Sequence, residues 1–203
     1  GVASQEARLN YFGRVNYNAK DKYLLDFVWR YDGSYIFPKD SRFGFFPGIS
    51  GAWRVSEEAF WQPIKPVVNE LKFRASWGKT GNDRIDPYQF LPSYGYGSGV
   101  ADIYIFNETE LAKILAESRI ANPLVTWEVA QQTNLGMDMQ LLNNKLSFSA
   151  EYFHNHRMDI LWRRNASVPG STGMTLPDEN IGEVINTGAE FQLAYNGNKG
   201  DFF

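Results

Sequence analysis

Period two runs through most of this sequence, in stretches longer than the strands of an ordinary soluble sheet. From Arg8 to Asn18 one face reads Leu9, Tyr11, Gly13, Val15 and Tyr17. The other reads Arg8, Asn10, Phe12, Arg14, Asn16 and Asn18. Successive side chains of a β-strand point to opposite faces, so this spacing predicts an extended segment with one greasy and one polar side. After Ala19, Lys20 and Asp21 the pattern resumes, with Tyr23, Leu25, Phe27, Trp29 and Tyr31 against Lys22, Leu24, Asp26, Val28, Arg30 and Asp32. Two such segments about a short turn make an antiparallel hairpin.

Five more segments follow the same grammar. They lie near Phe43–Arg54, Glu70–Thr80, Trp127–Leu141, Leu146–Tyr152 and Asn186–Tyr195, which makes seven strands in all. Most approach the nine to eleven residues of a tilted membrane crossing. The connections alternate in kind. Residues 19–21, 142–145 and 197–200 are short, and 55–69 is somewhat longer, broken by Pro63 and Pro66. Residues 33–42, 81–125 and 155–184 are long. Short turns at one end and long loops at the other are the habit of outer-membrane barrels. Within the second long loop, Glu108–Arg119 (ETELAKILAESR) has the spacing of a short amphipathic helix.

Composition narrows the field further. Phe, Tyr and Trp make up 16% of the 203 residues, yet the mean hydropathy is −0.39. No apolar run approaches the roughly 18 residues of a spanning helix, so a closed β-barrel is the remaining way to cross a bilayer. A net charge of −3 argues against a nucleic-acid partner. Zero cysteines exclude disulfides and thiolate metal sites. The opening Gly1-Val2-Ala3-Ser4 carries neither initiator Met nor signal peptide, as expected of a processed chain or an interior piece of a longer one.

A soluble β-sandwich also alternates, with its apolar face buried against a second sheet. Strand length favours lipid here, as do the charges on the opposite face (Arg14, Asp26, Arg30, Lys72, Arg74, Asp138, Glu151, Glu190). Aromatics near strand ends point the same way: Tyr17, Tyr23, Trp29, Tyr31, Trp53, Trp77 and Trp127 sit where membrane interfaces collect such rings. Seven strands do not close a bacterial barrel, and open edges in lipid cost several kcal/mol per unpaired group. The expectation is part of a larger barrel, with Asp201-Phe202-Phe203 starting another strand.

Blocks of sequence along nearly the whole chain resemble the barrel of SusC/RagA-type TonB-dependent transporters. They include Tyr11-Phe12-Gly13-Arg14-Val15-Asn16-Tyr17, Arg30-Tyr31-Asp32-Gly33-Ser34, Arg42-Phe43-Gly44-Phe45-Phe46-Pro47 and Ala52-Trp53-Arg54-Val55-Ser56-Glu57-Glu58. Leu71 to Asn82, Thr126-Trp127-Glu128, Gln132-Thr133-Asn134-Leu135-Gly136 and Asn186-Thr187-Gly188-Ala189-Glu190 continue the series in order. The resemblance implies an all-β, antiparallel, up-and-down transmembrane barrel of 22 strands. Residues 1–203 would supply about seven consecutive strands of its barrel domain, without the plug domain and the final strands. It also implies a bacterial outer-membrane location, a TonB complex acting through the plug region, and a SusD-like surface lipoprotein as lid. The cargo would be an oligosaccharide or a peptide, with outer-membrane lipid around the wall. No cofactor, metal or enzymatic step belongs to that picture.

Several motifs invite chemistry and have plainer readings. Gly78-Lys79-Thr80 lacks the earlier glycine of a phosphate loop, since position 73 is Phe, and it ends a strand without opening a helix. His154 and His156 share a face near Asp159, without a third ligand, and read as solvated residues at a strand end. Glu57-Glu58 and the Asp138/Glu151 pair read as solvated charge rather than paired catalytic carboxylates. The sequons at Asn107 and Asn165 carry little meaning in a bacterial chain. The aromatic loop Tyr88-Gln89-Phe90-Leu91-Pro92-Ser93-Tyr94-Gly95-Tyr96 differs, because rings stack on sugar faces and loops carry function. Tyr88, Phe90, Tyr94 and Tyr96 are the candidate contacts for substrate or lid, the alternative being packing of the loop on the rim.

Two functions from different classes follow. One is part of a TonB-driven importer of glycans, or of peptides. The other is a soluble all-β carbohydrate-binding module. They separate on one point: in a sandwich Tyr11, Val15, Leu25, Phe27, Leu135 and Met137 are covered by a second sheet, and in a barrel they form a bare band about 25 Å tall.

Overall fold

The computed structural model describes residues 6–96, 103–106, 110–113, 115–163 and 176–197. Seven strands form one antiparallel sheet: β1 (Arg8–Ala19), β2 (Tyr23–Ser34), β3 (Phe43–Arg54), β4 (Val68–Asn82), β9 (Glu128–Leu141), β10 (Leu146–Arg163) and β11 (Asp178–Tyr195). Their order in space is their order in the chain. Between β4 and β9 lies a nested pair of hairpin ladders, β5 (Ser93–Tyr96) with β8 (Leu115–Arg119) and β6 (Ile103–Phe106) with β7 (Glu110–Lys113). Two 3-10 turns, Val55–Glu57 and Ala59–Trp61, fill the connection from β3 to β4.

Two expectations are overturned here. The helix expected over Glu108–Arg119 is replaced by β7 and β8, with residues 107–109 and 114 outside the described residues. Helix propensity is a weak preference, and pairing with β5 and β6 overrides it. The long loop expected over 155–184 is mostly strand, because β10 continues to Arg163 and β11 begins at Asp178. The sequon at Asn165, like that at Asn107, and the terminal Asp201-Phe202-Phe203 lie outside the described residues.

The apolar side of the sheet is bare. Tyr11, Val15, Leu25, Phe27 and Leu135 are each at least two-fifths exposed, Met137 is half-buried, and no second layer covers any of the six among the described residues. That removes the sandwich. Registers bring these residues into rows: Val15 pairs Phe27, Phe27 pairs Ile49, and Ile49 pairs Trp77.

The tight turns show how the strands lean. The row containing the pair Ala19–Tyr23 continues through Trp53 and Phe73 to Met137. The β9–β10 turn instead leaves from Leu141–Leu146, four residues further along β9. At about 3.4 Å per residue and about 4.8 Å between strands, four residues over four strand spacings correspond to a tilt of about 35°. Barrel strands lean by about 35–45°. The outward apolar stretch slants in the same sense. On β1–β3 it persists to Tyr11, Tyr31 and Phe45. On β4–β11 it gives way earlier to Lys79, Gln131, Thr133, His154, His156 and Thr187.

Both of these turns need left-handed backbone. Lys20 and Asp21 have φ of 55° and 56°, and the Asn18 side chain holds Asp21 through both its backbone N–H and its carboxylate. Leu142, Asn143 and Asn144 take φ of 55°, 56° and 62°, which asparagine tolerates better than leucine.

The main buried cluster is small and sits at the end opposite the tight turns, while Val55 and Leu71 are buried separately at the tight-turn end. Ile36, Phe37, Phe46, Val125 and Trp127 form the main cluster, with Trp127 5.0 Å from Phe37 and 5.3 Å from Phe46, ring centre to ring centre. Trp127 is therefore not part of an interfacial girdle, as its place in the sequence suggests. It is 7% exposed, and its indole N–H donates to the carbonyl of Arg42.

Candidate functional site

The polar face of the sheet is a wall of paired charge. Arg14 on β1 donates to Asp26 on β2 at 2.8 Å. Arg74 on β4 reaches Asp138 on β9 at 3.3 Å and Glu151 on β10 at 2.6 Å, and Lys72 adds a second cation to Asp138 at 3.2 Å. Asp138 and Glu151 are thus ion-paired, not free solvated charge. Arg54 lies 3.7 Å from Glu70 and 3.6 Å from Glu57. Above this belt the wall becomes smooth at the facing pair Gly48 and Gly78, then carries Gln132 and Asn155.

Glu58 also departs from the plain reading. Its carboxylate accepts from the Tyr23 hydroxyl at 2.7 Å, the Lys22 ammonium at 3.0 Å and the Trp53 indole at 3.2 Å. Those three donors, the tyrosine foremost, hold its pKa below the ordinary carboxylate value. Glu58 thereby ties the β3–β4 connection to the ends of β2 and β3.

At the other end, the loops converge on the small core. Gln89 is fully buried and makes a two-way clamp with Asp178: its amide donates to the carboxylate at 2.7 Å, and its carbonyl accepts from the Asp178 N–H at 2.6 Å. Asn122 donates to the carbonyl of Asp178, and Asn180 exchanges hydrogen bonds with the backbone of Thr126. Burial, and then the charge of Glu6, push the Tyr35 phenol above its ordinary pKa.

The four aromatic candidates separate into two pairs. Phe90 packs against the buried cluster, and Tyr88 lies 6.3 Å from it and 5.9 Å from Tyr35. Tyr94 and Tyr96 stand on β5, 62% and 69% exposed. The buried Gln89, which ties the first pair to β11, has no distinguishing signal in sequence beyond its place between two aromatics.

The remaining motifs resolve as well. Lys79 lies on a strand with its ammonium 6.0 Å from the Trp77 ring centre, so Gly78-Lys79-Thr80 opens no helix. His154 and His156 are within β10 and not at a strand end. They pair with Thr187 at 2.7 Å and Glu183 at 2.6 Å on β11. No group of three or more metal-ligating side chains occurs among the described residues.

Residues 3–203 match the family described as TonB dependent receptor-like, beta-barrel. The chain is 35% identical over 188 residues to TonB-dependent receptor P26 of Formosa agariphila, covering 91% of this chain and 18% of that protein. It is 32% identical over 193 residues to TonB-dependent receptor SusC of Bacteroides thetaiotaomicron, covering 94% and 19%. Among solved structures, the RagAB peptide transporter superposes with a TM-score of 0.76 at 26% identity, over 93% of this chain and 20% of that one. The siderophore receptor PirA from Pseudomonas aeruginosa shares the fold at 13% identity and a TM-score of 0.57, over 91% and 30%. The chain spans about a fifth of the length of the curated relatives it matches. With a bare apolar face, an ion-paired polar face and an extended run of relatedness, the chain belongs to the TonB-dependent receptor β-barrel family and is a stretch of a SusC/RagA-type barrel.

Proposed function

We propose that this chain forms part of the wall of a 22-stranded outer-membrane barrel that imports glycans, or peptides, under the pull of TonB. A SusD-like surface lipoprotein closes the mouth. The observation that carries the reading is the division of the sheet into an unpartnered apolar face and an ion-paired polar face. One face meets hydrocarbon and the other lines a wet route. The chain contributes a passage and not a covalent step: Arg14, Asp26, Lys72, Arg74 and Asp138 set the charge that a solute passes.

Tyr94 and Tyr96 are the contacts for cargo or lid, and Tyr88 and Phe90 seat the base of their hairpin on the rim. The exposure of Tyr94 and Tyr96 supports this division, as do the packing of Phe90 on the buried cluster and the ring contacts by which Tyr88, itself 40% exposed, leans on Phe90 and Tyr35. The test is Tyr94→Ala with Tyr96→Ala in the full-length transporter, with uptake and lid association both measured. Reduced uptake or a weakened lid complex is expected, and normal values for both defeat the assignment. Fractionation tests the wider reading, which fails if the full-length protein is found soluble in the periplasm or cytosol.

A further inference from the structure

On the apolar face the side chains do not make an even wall. Gly51 on β3 and Ala75 on β4 are directly paired, in the row that runs from Leu25 to Leu135. Two neighbouring small residues leave an open hollow of about 910 Å³, and Trp53, Phe73 and Met137 rise along its lower side. That volume falls near the top of the roughly 300–1,000 Å³ range of small-ligand sites. The lower rim is fixed, since the Tyr23 hydroxyl and the Trp53 indole both donate to Glu58.

Its surroundings restrict what fills it. The hollow lies within the outward, bilayer-facing apolar face, toward the tight turns and hence in the periplasmic leaflet. Lipid tails are as apolar as the wall, so the hydrophobic effect does not choose among occupants there. Dispersion contact does, because a chain lying in a concavity touches more atoms than one against a flat wall.

We propose that this hollow is a seat for the acyl chains of one periplasmic-leaflet phospholipid, held longer than the surrounding annular lipid. The proposal rests on the barrel reading, and its test keeps the two apart. Full-length transporter is extracted in mild detergent, washed extensively and examined by native mass spectrometry for retained phospholipid. Ala75→Leu fills the floor, and Gly51→Ala does so more gently, its new Cβ falling 3.3 Å from the Leu25 Cδ2. Retained phospholipid is expected to fall at least fivefold in Ala75→Leu and by a smaller factor in Gly51→Ala. Both proteins should keep the heat-modifiable gel mobility of a folded barrel. Equal retention in wild type and folded variants overturns the seat. So does wild type free of phospholipid, or one that instead retains lipopolysaccharide or a second protein. Failure of the barrel reading would look different, as a full-length protein that stays in solution without detergent.

Discussion

Arg74 and Glu151 meet at 2.6 Å across an intervening strand, and Gly136 lies between them. Arg74 pairs Gly136 on β9, and Gly136 pairs Glu151 on β10, so the guanidinium passes over the glycine to reach its carboxylate. A Cβ at position 136 would stand 2.5 Å from the Arg74 Cζ. The belt of ion pairs on the inner wall therefore depends on an absent side chain as much as on the charges.

Gly136→Ala should displace Arg74 and weaken the barrel by about 1 kcal/mol or less, since both partners are roughly one-third exposed. Urea unfolding of the full-length protein in detergent reads the loss. In a Glu151→Ala background the same substitution should cost measurably less, because the contact is already gone. Equal costs in both backgrounds would show that the glycine does not serve the pair.

Removing Trp127 should loosen the mouth. Truncation of a buried aromatic costs about 3–5 kcal/mol, and here the loss falls at the end of the sheet where Trp127 packs on Phe37 of the β2–β3 connection and on Phe46 of β3. Lys39 and Arg84 are already exposed, so what protects their bonds is the fixed loop backbone, and Trp127→Ala should speed trypsin cleavage after Lys39, Arg42 and Arg84 while the strands stay folded. Unchanged cleavage would mean that the loops stand without it.

Gln89→Ala leaves the Asp178 amide and carboxylate short of a partner, at about 1–3 kcal/mol. Hydrogen exchange at the Asp178 amide should quicken by about 5- to 150-fold, in proportion to that loss. An unaltered rate would mean that water replaces the glutamine at no cost.

Glu58 sets a pH dependence at the opposite end. Its folded pKa lies below the ordinary 4.5, so its contribution is complete above pH 4.5 and disappears as pH falls through the lowered folded value. Glu58→Gln should lose stability at neutral pH and flatten this acid limb in urea titrations. A variant with the wild-type acid limb would assign that limb to other carboxylates.

How much of this was legible depends on where the chain stands relative to the bilayer. Within the apolar band the two faces meet different media, so Leu9 to Tyr17 and Tyr23 to Tyr31 read as strands at sight. Beyond the band both faces are wet. Outward His154, His156 and Thr187 then look no different from inward Asn155 and Asn186, which is why the far part of β10, from residue 155 on, and the start of β11 read as loop. Trp127 reads as a girdle residue because a strand-end aromatic has the same local signal in either place. Only the return of residues 36–46, far away in sequence, buries it. The Gln89–Asp178 clamp joins positions 89 residues apart and leaves no local trace.

The lean of the strands also decides which residues of the polar face stand in line along the barrel axis. At about 35°, a straight ascent of the inner wall does not follow any one strand but climbs to the next with each step of about 8 Å. Arg54, Arg74, Asn134 and Asn155 then stand one above another, although they belong to β3, β4, β9 and β10. On the proposed import route, a solute rising or sinking along this wall would trade guanidinium for carboxamide up that column, a sequence of encounters written diagonally across four strands.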